Sequence, residues 1–483
     1  MRLFSNVSAN IFQFAFSAIT LFVLYKLVAI KLGLSLLGVW SVVIASTSIA
    51  RLGEMGLAGS VTQHIAKDIS DESSKKTAFT VETALLSAIG VVSLIILFAF
   101  RPLQALLGEA FSGTELGQAL NILPHALAFM GIGLVAMILQ GVLDGLQQMW
   151  SRAIIISLTQ VLMIILSFVL IDNFGIVSVM YAQIIQVLTA VILMWLVIWF
   201  KIPGISFIPY RWKFAQFKML MPHAVNLQIS SGLVMMVDPL VKIMIAKSGG
   251  AHLAGLFEIA HQVVSKARAL IVTANQASVP HIAALSAVGE LDKIKKTYIN
   301  SLNATFYLSI PLFLLIILMI PVVSTIMTGA VSEMLSLMIL VCSITWLLNA
   351  FTVPSYFVNT SDGNVKFNTI GHLITGGMVF IFFVFFNGSV TWPVVILMWG
   401  SAIVLGGCFS LIMVHKRYSL NLTNAVGSAE LMLGLLVTSS FLIAFGSIFY
   451  DSSYLYYLNI IVVLISSIGS FNCFKKFRKN NKK

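Results

Sequence analysis

Apolar stretches of roughly 20 residues recur from one end of this chain to the other, and that is the length a helix needs to cross the hydrocarbon of a bilayer. No other feature restricts the fold as tightly. Inside hydrocarbon each span must satisfy its own backbone N–H and C=O groups, which leaves helices or closed barrels. The period-two alternation of barrel strands is absent, and 59% of the 483 residues are hydrophobic against 10% charged. An all-α polytopic membrane protein is expected, with about fourteen transmembrane helices. They lie near 8–30, 36–66, 78–100, 119–143, 153–171, 175–200, 219–246, 252–278, 298–328, 333–357, 367–386, 393–414, 430–449 and 453–473. Ser8–Ile30 is too long for the core of a signal peptide and lacks a small-x-small cleavage site, so it reads as a retained first helix.

The net charge of +12 sits in short connections rather than in a basic domain, so no nucleic-acid partner is expected. With the N-terminus on the cytoplasmic side, the inside connections hold Lys67, Lys75, Lys76, Arg152, Lys201, Arg211, Lys213, Lys218, Lys293, Lys295, Lys296, Lys366, Lys416 and Arg417. The outside ones keep Lys31, Arg101 and Lys247. That asymmetry predicts cytoplasmic termini. The basic tail 475–483 serves the same orientation, with an anionic-lipid site as the alternative. Cys342, Cys408 and Cys473 show neither metal nor disulfide spacing and read as small hydrophobes.

The chain is internally duplicated. Shifted by 217 positions, Gly38 falls on Gly255, Arg51 on Arg268, and His64-Ile65-Ala66 on His281-Ile282-Ala283. With one residue gapped, Lys26-x4-Lys31 falls on Lys242-x4-Lys247, and further on Asp144-Gly145 falls on Asp362-Gly363. Six spans per unit give both units one orientation, a parallel repeat about an axis along the membrane normal. The expected organisation is an N-lobe at 1–200, an amphipathic cytoplasmic linker at 201–218 and a C-lobe at 219–418. Two further helices follow at 419–474, then the tail.

A charge at membrane depth is costly and marks a pathway unless it is paired. At helical spacing Thr47, Arg51, Glu54, Ala58 and Thr62 share a face, and Glu258, His261, Ser265, Arg268 and Asn275 fall within an arc of about 100°. Asp238 and Lys242 are one turn apart around Pro239, which predicts a kink. Structural pairing stays open for several of these. Arg51 with Glu54 and Asp238 with Lys242 have ion-pair spacing, and Lys26 and Lys242 lie near helix ends where they can snorkel. Arg268 has no acid within one turn. The recurrence at one offset favours function, because independent ion pairs have no reason to repeat. His261 is the better titrating candidate, while His64 and His281 read as helix-end polar residues; His125, His223 and His372 receive no role.

Walker A, HExxH, paired CxxC and GxSxG motifs are missing, and the connections are short, so transport is expected rather than catalysis, with no cofactor. The segment Gly33–Ser70, with Gly38-Val39-Trp40 and Glu54-Met55-Gly56-Leu57, resembles the start of bacterial polysaccharide flippases of the Wzx type, with Glu54 standing for the family's Asp. The segment Asp238–Leu285, with Gly255-Leu256-Phe257 and Pro280, is similar to their second-half signature. The wider superfamily of MATE and MOP flippases also holds the lipid II flippase and multidrug and toxin extruders. The resemblance implies two six-helix lobes in a V around a central cavity, alternating access, and an isoprenoid-pyrophosphate-linked oligosaccharide as substrate in the bacterial inner membrane. It implies O-antigen, capsule or exopolysaccharide synthesis, with a polysaccharide polymerase and chain-length regulator as partners beside membrane lipids. Arg51 and Arg268 are then the pyrophosphate ligands, since a guanidinium donates two aligned hydrogen bonds, with Lys26 and Lys242 as an outer ring. Trp40, Gln140 and Asn275 are weaker sugar contacts, and Glu54, Asp238, Glu258 and His261 are candidates for proton or sodium coupling. The membrane potential is the alternative drive. A multidrug cation antiporter and a lipid II flippase of the same fold are the alternative functions; the first normally carries an acid in its first helix, where this chain has Lys26.

Overall fold

The structure is a computed structural model that describes residues 2–49, 57–70, 74–276, 278–386, 390–420, 438–446 and 459–471. Among the described residues every regular element is a helix. In chain order these are α1 (Arg2–Leu32), α2 (Leu34–Ser48), α3 (Leu57–Ser70), α4 (Ser74–Ala110), α5 (Gly113–Gly145), α6 (Met149–Phe174), α7 (Ile176–Lys201) and α8 (Phe214–Met235). There follow α9 (Val237–Gln276), α10 (Val279–Ala287), α11 (Leu291–Leu318), α12 (Ile320–Thr328), α13 (Glu333–Ala350), α14 (Val353–Ser361), α15 (Val365–Phe385) and α16 (Trp392–Arg417). Residues 438–446 and Asn459–Phe471 are helical too. Nine helices among the described residues are long and apolar enough to cross a membrane.

Several expected spans are built from two helices, and proline explains where they divide. Pro280, Pro321 and Pro354 each stand second in their helix, in α10, α12 and α14. A proline there costs little, because first-turn N–H groups have no partner within the helix. The expected span 298–328 is therefore α11 and α12, and 333–357 is α13 and α14. The kink expected at Pro239 appears as a break at Met236, which leaves Pro239 in the first turn of α9.

The duplication is visible in the backbone. Gly33, between α1 and α2, has φ 86° and ψ 164°, and Gly250, 217 positions on and inside α9, has φ 79° and ψ 171°. This region is open essentially to glycine alone. At the same shift the end of α3 at Ser70 meets the end of α10 at Ala287, and the start of α4 at Ser74 meets the start of α11 at Leu291.

Two compact units are present, Met1–Gly255 and Leu256–Lys483. In the first, α5 packs against α2, α3, α4 and α7, and α6 packs against α1 and α7. One buried cluster joins Val61 and Ile65 of α3, Val81 of α4, Val142 of α5 and Ile198 of α7 to Ile205 and Leu220 around the linker. In the second unit α16 packs against α13, α14 and α15, while α11 packs against α10, α13 and α14. Ile282, Ile294, Tyr298, Val358, Val414 and Tyr418 form a core cluster there.

Residues 202–213 are irregular and are held by Glu82, which is fully buried on α4. Its carboxylate accepts hydrogen bonds from the backbone N–H of Ser206 (2.9 Å) and Arg211 (3.0 Å) and pairs with the Arg211 guanidinium. The bond between the two side chains pushes Arg211 above the ordinary arginine range. Trp195 donates to the Phe207 carbonyl (2.8 Å) and Trp212 to the Ser87 hydroxyl (3.0 Å). Ile208, Tyr210 and Phe214 are left exposed, which suits a segment lying at a membrane surface.

Candidate functional site

The second unit arranges a cation with its hydrogen-bonding fork left available. Arg268 lies on α9, and two residues three apart on α13, Trp346 and Asn349, meet it on one helical face. Its Nε donates to the Asn349 side-chain carbonyl at 2.8 Å, and its guanidinium carbon stands 4.5 Å over the Trp346 ring. Asn349 is itself buried, and its amide donates to the Ile403 carbonyl of α16 at 3.4 Å. Among the described residues no carboxylate pairs with Arg268, and neither terminal nitrogen donates a hydrogen bond. A guanidinium held at Nε and across one face keeps its two terminal nitrogens for another acceptor. That is the geometry for a phosphate or carboxylate.

An aromatic cluster adjoins it. His261, two turns before Arg268 on α9, stacks on Phe257 with centroids 5.7 Å apart and planes 8° apart. It also meets the edge of Trp399 at 5.5 Å and tilts against Trp346 at 6.0 Å. Phe257 and Trp399 are buried, whereas His261 and Trp346 are half-buried. Tyr356 on α14 and His372 on α15 both interact electrostatically with Arg268, and their rings lie 5.7 Å apart. The sequence reading missed Trp346, Asn349, Tyr356 and His372. Each lies roughly 80 to 100 positions after Arg268, and no helical spacing links residues at such distance.

The other candidates fall as follows. Glu258 is buried; it accepts from the Gln262 side chain at 3.0 Å and interacts with the charge of Lys266, so the polar face of α9 divides between Glu258 and Arg268. Asn275 is buried against α11, bonded to Thr305 (2.8 Å) and Ser301 (2.7 Å). In the first unit Lys26 is exposed on α1, while Lys242 is buried and pairs with Asp238 at 2.8 Å. Their repeat neighbours Lys31 and Lys247 pair with Asp172 (3.0 Å) and Glu109 (2.6 Å). Trp40 is buried edge-on against Tyr25, and Gln140 is half-buried on α5. The His64 Nδ1–H donates to the Ser60 carbonyl within α3 (2.8 Å), and His281 is exposed. Arg51 and Glu54 lie outside the described residues.

Asp144 and Asp362, matched across the repeat, each hold an arginine. Asp144 pairs with Arg152, which also donates to Asn10; Asp362 accepts from Arg417 (2.6 Å) and from the Tyr418 hydroxyl (2.9 Å). These pairs tie helix ends together.

A profile of the family described as "Polysaccharide biosynthesis protein" matches residues 37–336, a stretch that carries both Arg51 and Arg268. The chain belongs to the polysaccharide biosynthesis protein family. No curated protein matches it in sequence. Among solved structures, this family member resembles an inward-facing multidrug resistance MATE family transporter of the MOP superfamily, with 15% identity, 83% of this chain and 94% of that one covered, and a TM-score of 0.71. It resembles the lipid II flippase MurJ in an inward closed conformation at 14% identity, with 98% and 99% covered and a TM-score of 0.69. A MOP superfamily transporter from Pyrococcus furiosus, described as having a binding pocket of reverse polarity, matches at 15% identity, with 86% and 95% covered and a TM-score of 0.62. Family membership and these likenesses establish a multi-pass helical membrane protein with the fold that MATE transporters and MurJ share.

Proposed function

We propose that this chain is a flippase. It carries an isoprenoid-pyrophosphate-linked oligosaccharide from the cytoplasmic to the outer leaflet of the bacterial inner membrane, by alternating access, in the synthesis of an O-antigen, capsule or exopolysaccharide. The observation that carries the reading is Arg268, fixed by Asn349 and Trp346 with both terminal nitrogens free of hydrogen bonds among the described residues. A sugar chain and a charged diphosphate cannot enter hydrocarbon unaided. A guanidinium oriented in advance replaces part of the water they lose without being ordered at the moment of binding. Membership of the polysaccharide biosynthesis family supports the glycan cargo. The skew of Lys and Arg supports cytoplasmic termini. With the inside negative, outward movement of an anionic headgroup is driven by about 2.3 kcal/mol per charge per 100 mV. No cofactor is needed for that step.

The test is complementation. In a strain whose copy of this gene is deleted, plasmid-borne wild type restores surface glycan, Arg268→Ala does not, and Arg268→Lys restores part, at equal membrane abundance. Full restoration by Arg268→Ala overturns the reading. Rescue of a strain depleted of its lipid II flippase, without rescue of surface glycan, reassigns the cargo to lipid II.

A further inference from the structure

Between α7 and α8 the chain gathers side chains that the proposed transport does not use. Residues 201–218 carry Lys201, Arg211, Lys213 and Lys218 and no Asp or Glu, interleaved with Phe207, Ile208, Tyr210, Trp212 and Phe214. The level of this segment relative to hydrocarbon is set from both sides. The apolar span of α7 ends at Lys201, and the apolar span of α4 begins at Lys76. The segment packs on the first turns of the α4 span. Arg211 stands over the Phe79 ring at 4.9 Å and pairs with Glu82, the Lys213 N–H donates to the Thr83 hydroxyl (3.2 Å), and Trp212 reaches Ser87. Residues 202–213 therefore lie where two spans leave the apolar layer, at headgroup depth.

The held backbone sorts the side chains. Ile208 and Tyr210 are each 72% exposed, and Phe207 and Phe214 are exposed as well. An apolar cluster that open calls for a cover, and rings beside lysines at the end of a span settle into the interface. Glu82 takes up the charge of Arg211. Lys201, Lys213 and Lys218 remain exposed, Lys213 with its ammonium 3.4 Å over the Phe79 ring, and among the described residues no carboxylate pairs with them. Three cations without an acid match an anionic headgroup better than a zwitterionic one. A soluble partner would have to reach this face through the headgroups.

We propose that residues 201–218 are a docking strap for anionic phospholipid, with Phe207, Ile208, Tyr210 and Phe214 set among the headgroups and Lys201, Lys213 and Lys218 meeting lipid phosphates. The strap's lipid does not depend on which cargo the chain carries.

The test compares the full chain, one copy per nanodisc, in phosphatidylcholine and in an equal mixture of phosphatidylcholine and phosphatidylglycerol. Amide hydrogen exchange of residues 202–213 reads the strap itself, so the basic tail and the other connections do not contribute. Exchange should slow by about tenfold or more in the anionic discs, since each lysine near such a surface adds about fivefold, and the slowing should fade at high salt. Lys201→Gln with Lys213→Gln and Lys218→Gln should exchange at one rate in both disc types. Each single substitution should lose part of the difference, which covers failure of the triple variant to fold. Phe207→Ser with Tyr210→Ser should speed exchange in both disc types. Equal wild-type rates in the two discs, an undiminished ratio in every lysine variant, or rates untouched by loss of the rings overturns the proposal. Slowing that requires two copies per disc assigns the face to a second copy of the chain and overturns it too.

Discussion

Gly38 and Gly255, 217 positions apart, meet backbone to backbone within the first unit. A Cβ on Gly38 would stand 2.8 Å from the Gly255 nitrogen, and one on Gly255 would stand 3.1 Å from the Gly38 nitrogen. The contact is reciprocal further out as well: a Cβ on Gly38 would overlap the Ala251 carbonyl, and one on Gly255 the Leu34 carbonyl, and Leu34 and Ala251 are themselves 217 apart. Two copies of one ancestral segment thus face each other through the same glycine, the close approach that small residues allow between helices in membranes.

Gly38→Ala and Gly255→Ala should therefore each destabilise the fold by about 1–3 kcal/mol, since a backbone carbonyl yields less readily than the tip of a side chain. Thermal unfolding in detergent should show a lowered Tm for both. Gly117→Ala on α5, where a Cβ meets open space, should leave the Tm unchanged or raise it slightly.

Asn349→Asp would set a carboxylate where Arg268 Nε now meets a neutral carbonyl. The ion pair would occupy the guanidinium, and glycan export should fall by about tenfold or more at normal membrane abundance. Asn349→Ala, which frees the guanidinium without neutralising it, should cost less. Equal export by wild type and Asn349→Asp would show that the charge of Arg268 is not used.

Glu82→Ala removes the acceptor that gathers residues 206–211. Because hydrogen bonds to a charged group contribute about 1.5–3 kcal/mol, the linker should open locally. Limited trypsin digestion should then cut after Arg211 or Lys213 faster in the variant, while the helices stay protected.

Tyr418, just past α16, is pushed up to about 12, first by burial and then by the Asp362 carboxylate that accepts its hydroxyl. A raised phenol stabilises the fold fully below its unfolded value of about 10, and that contribution declines as pH rises through the folded value. The stability gap between wild type and Tyr418→Phe should be constant up to about pH 10 and close towards pH 12, as read by unfolding midpoints across an alkaline series.

Helical class, duplication and the absence of an acid within one turn of Arg268 are legible in the sequence, because each rests on a local signal: apolar length, a fixed offset, and the residues either side of position 268. The partners of that arginine are not legible. Asn349 and Trp346 sit in an apolar run whose periodicity matches any buried helix. Glu82 reads as one acid near the start of a span, yet it organises a linker more than 120 positions away. The grouping of Glu258 with Arg268 follows from helical angles alone, and Gln262 and Lys266 draw Glu258 to the neighbouring face.

The Asn349 bond to Nε has a kinetic corollary. If Arg268 holds the headgroup as proposed, a guanidinium already fixed at Nε needs no new rotamer to take up or release an anion. A carrier must shed its cargo on the far side as readily as it takes it up, and under the proposed reading a pre-set fork would meet both demands with one side chain.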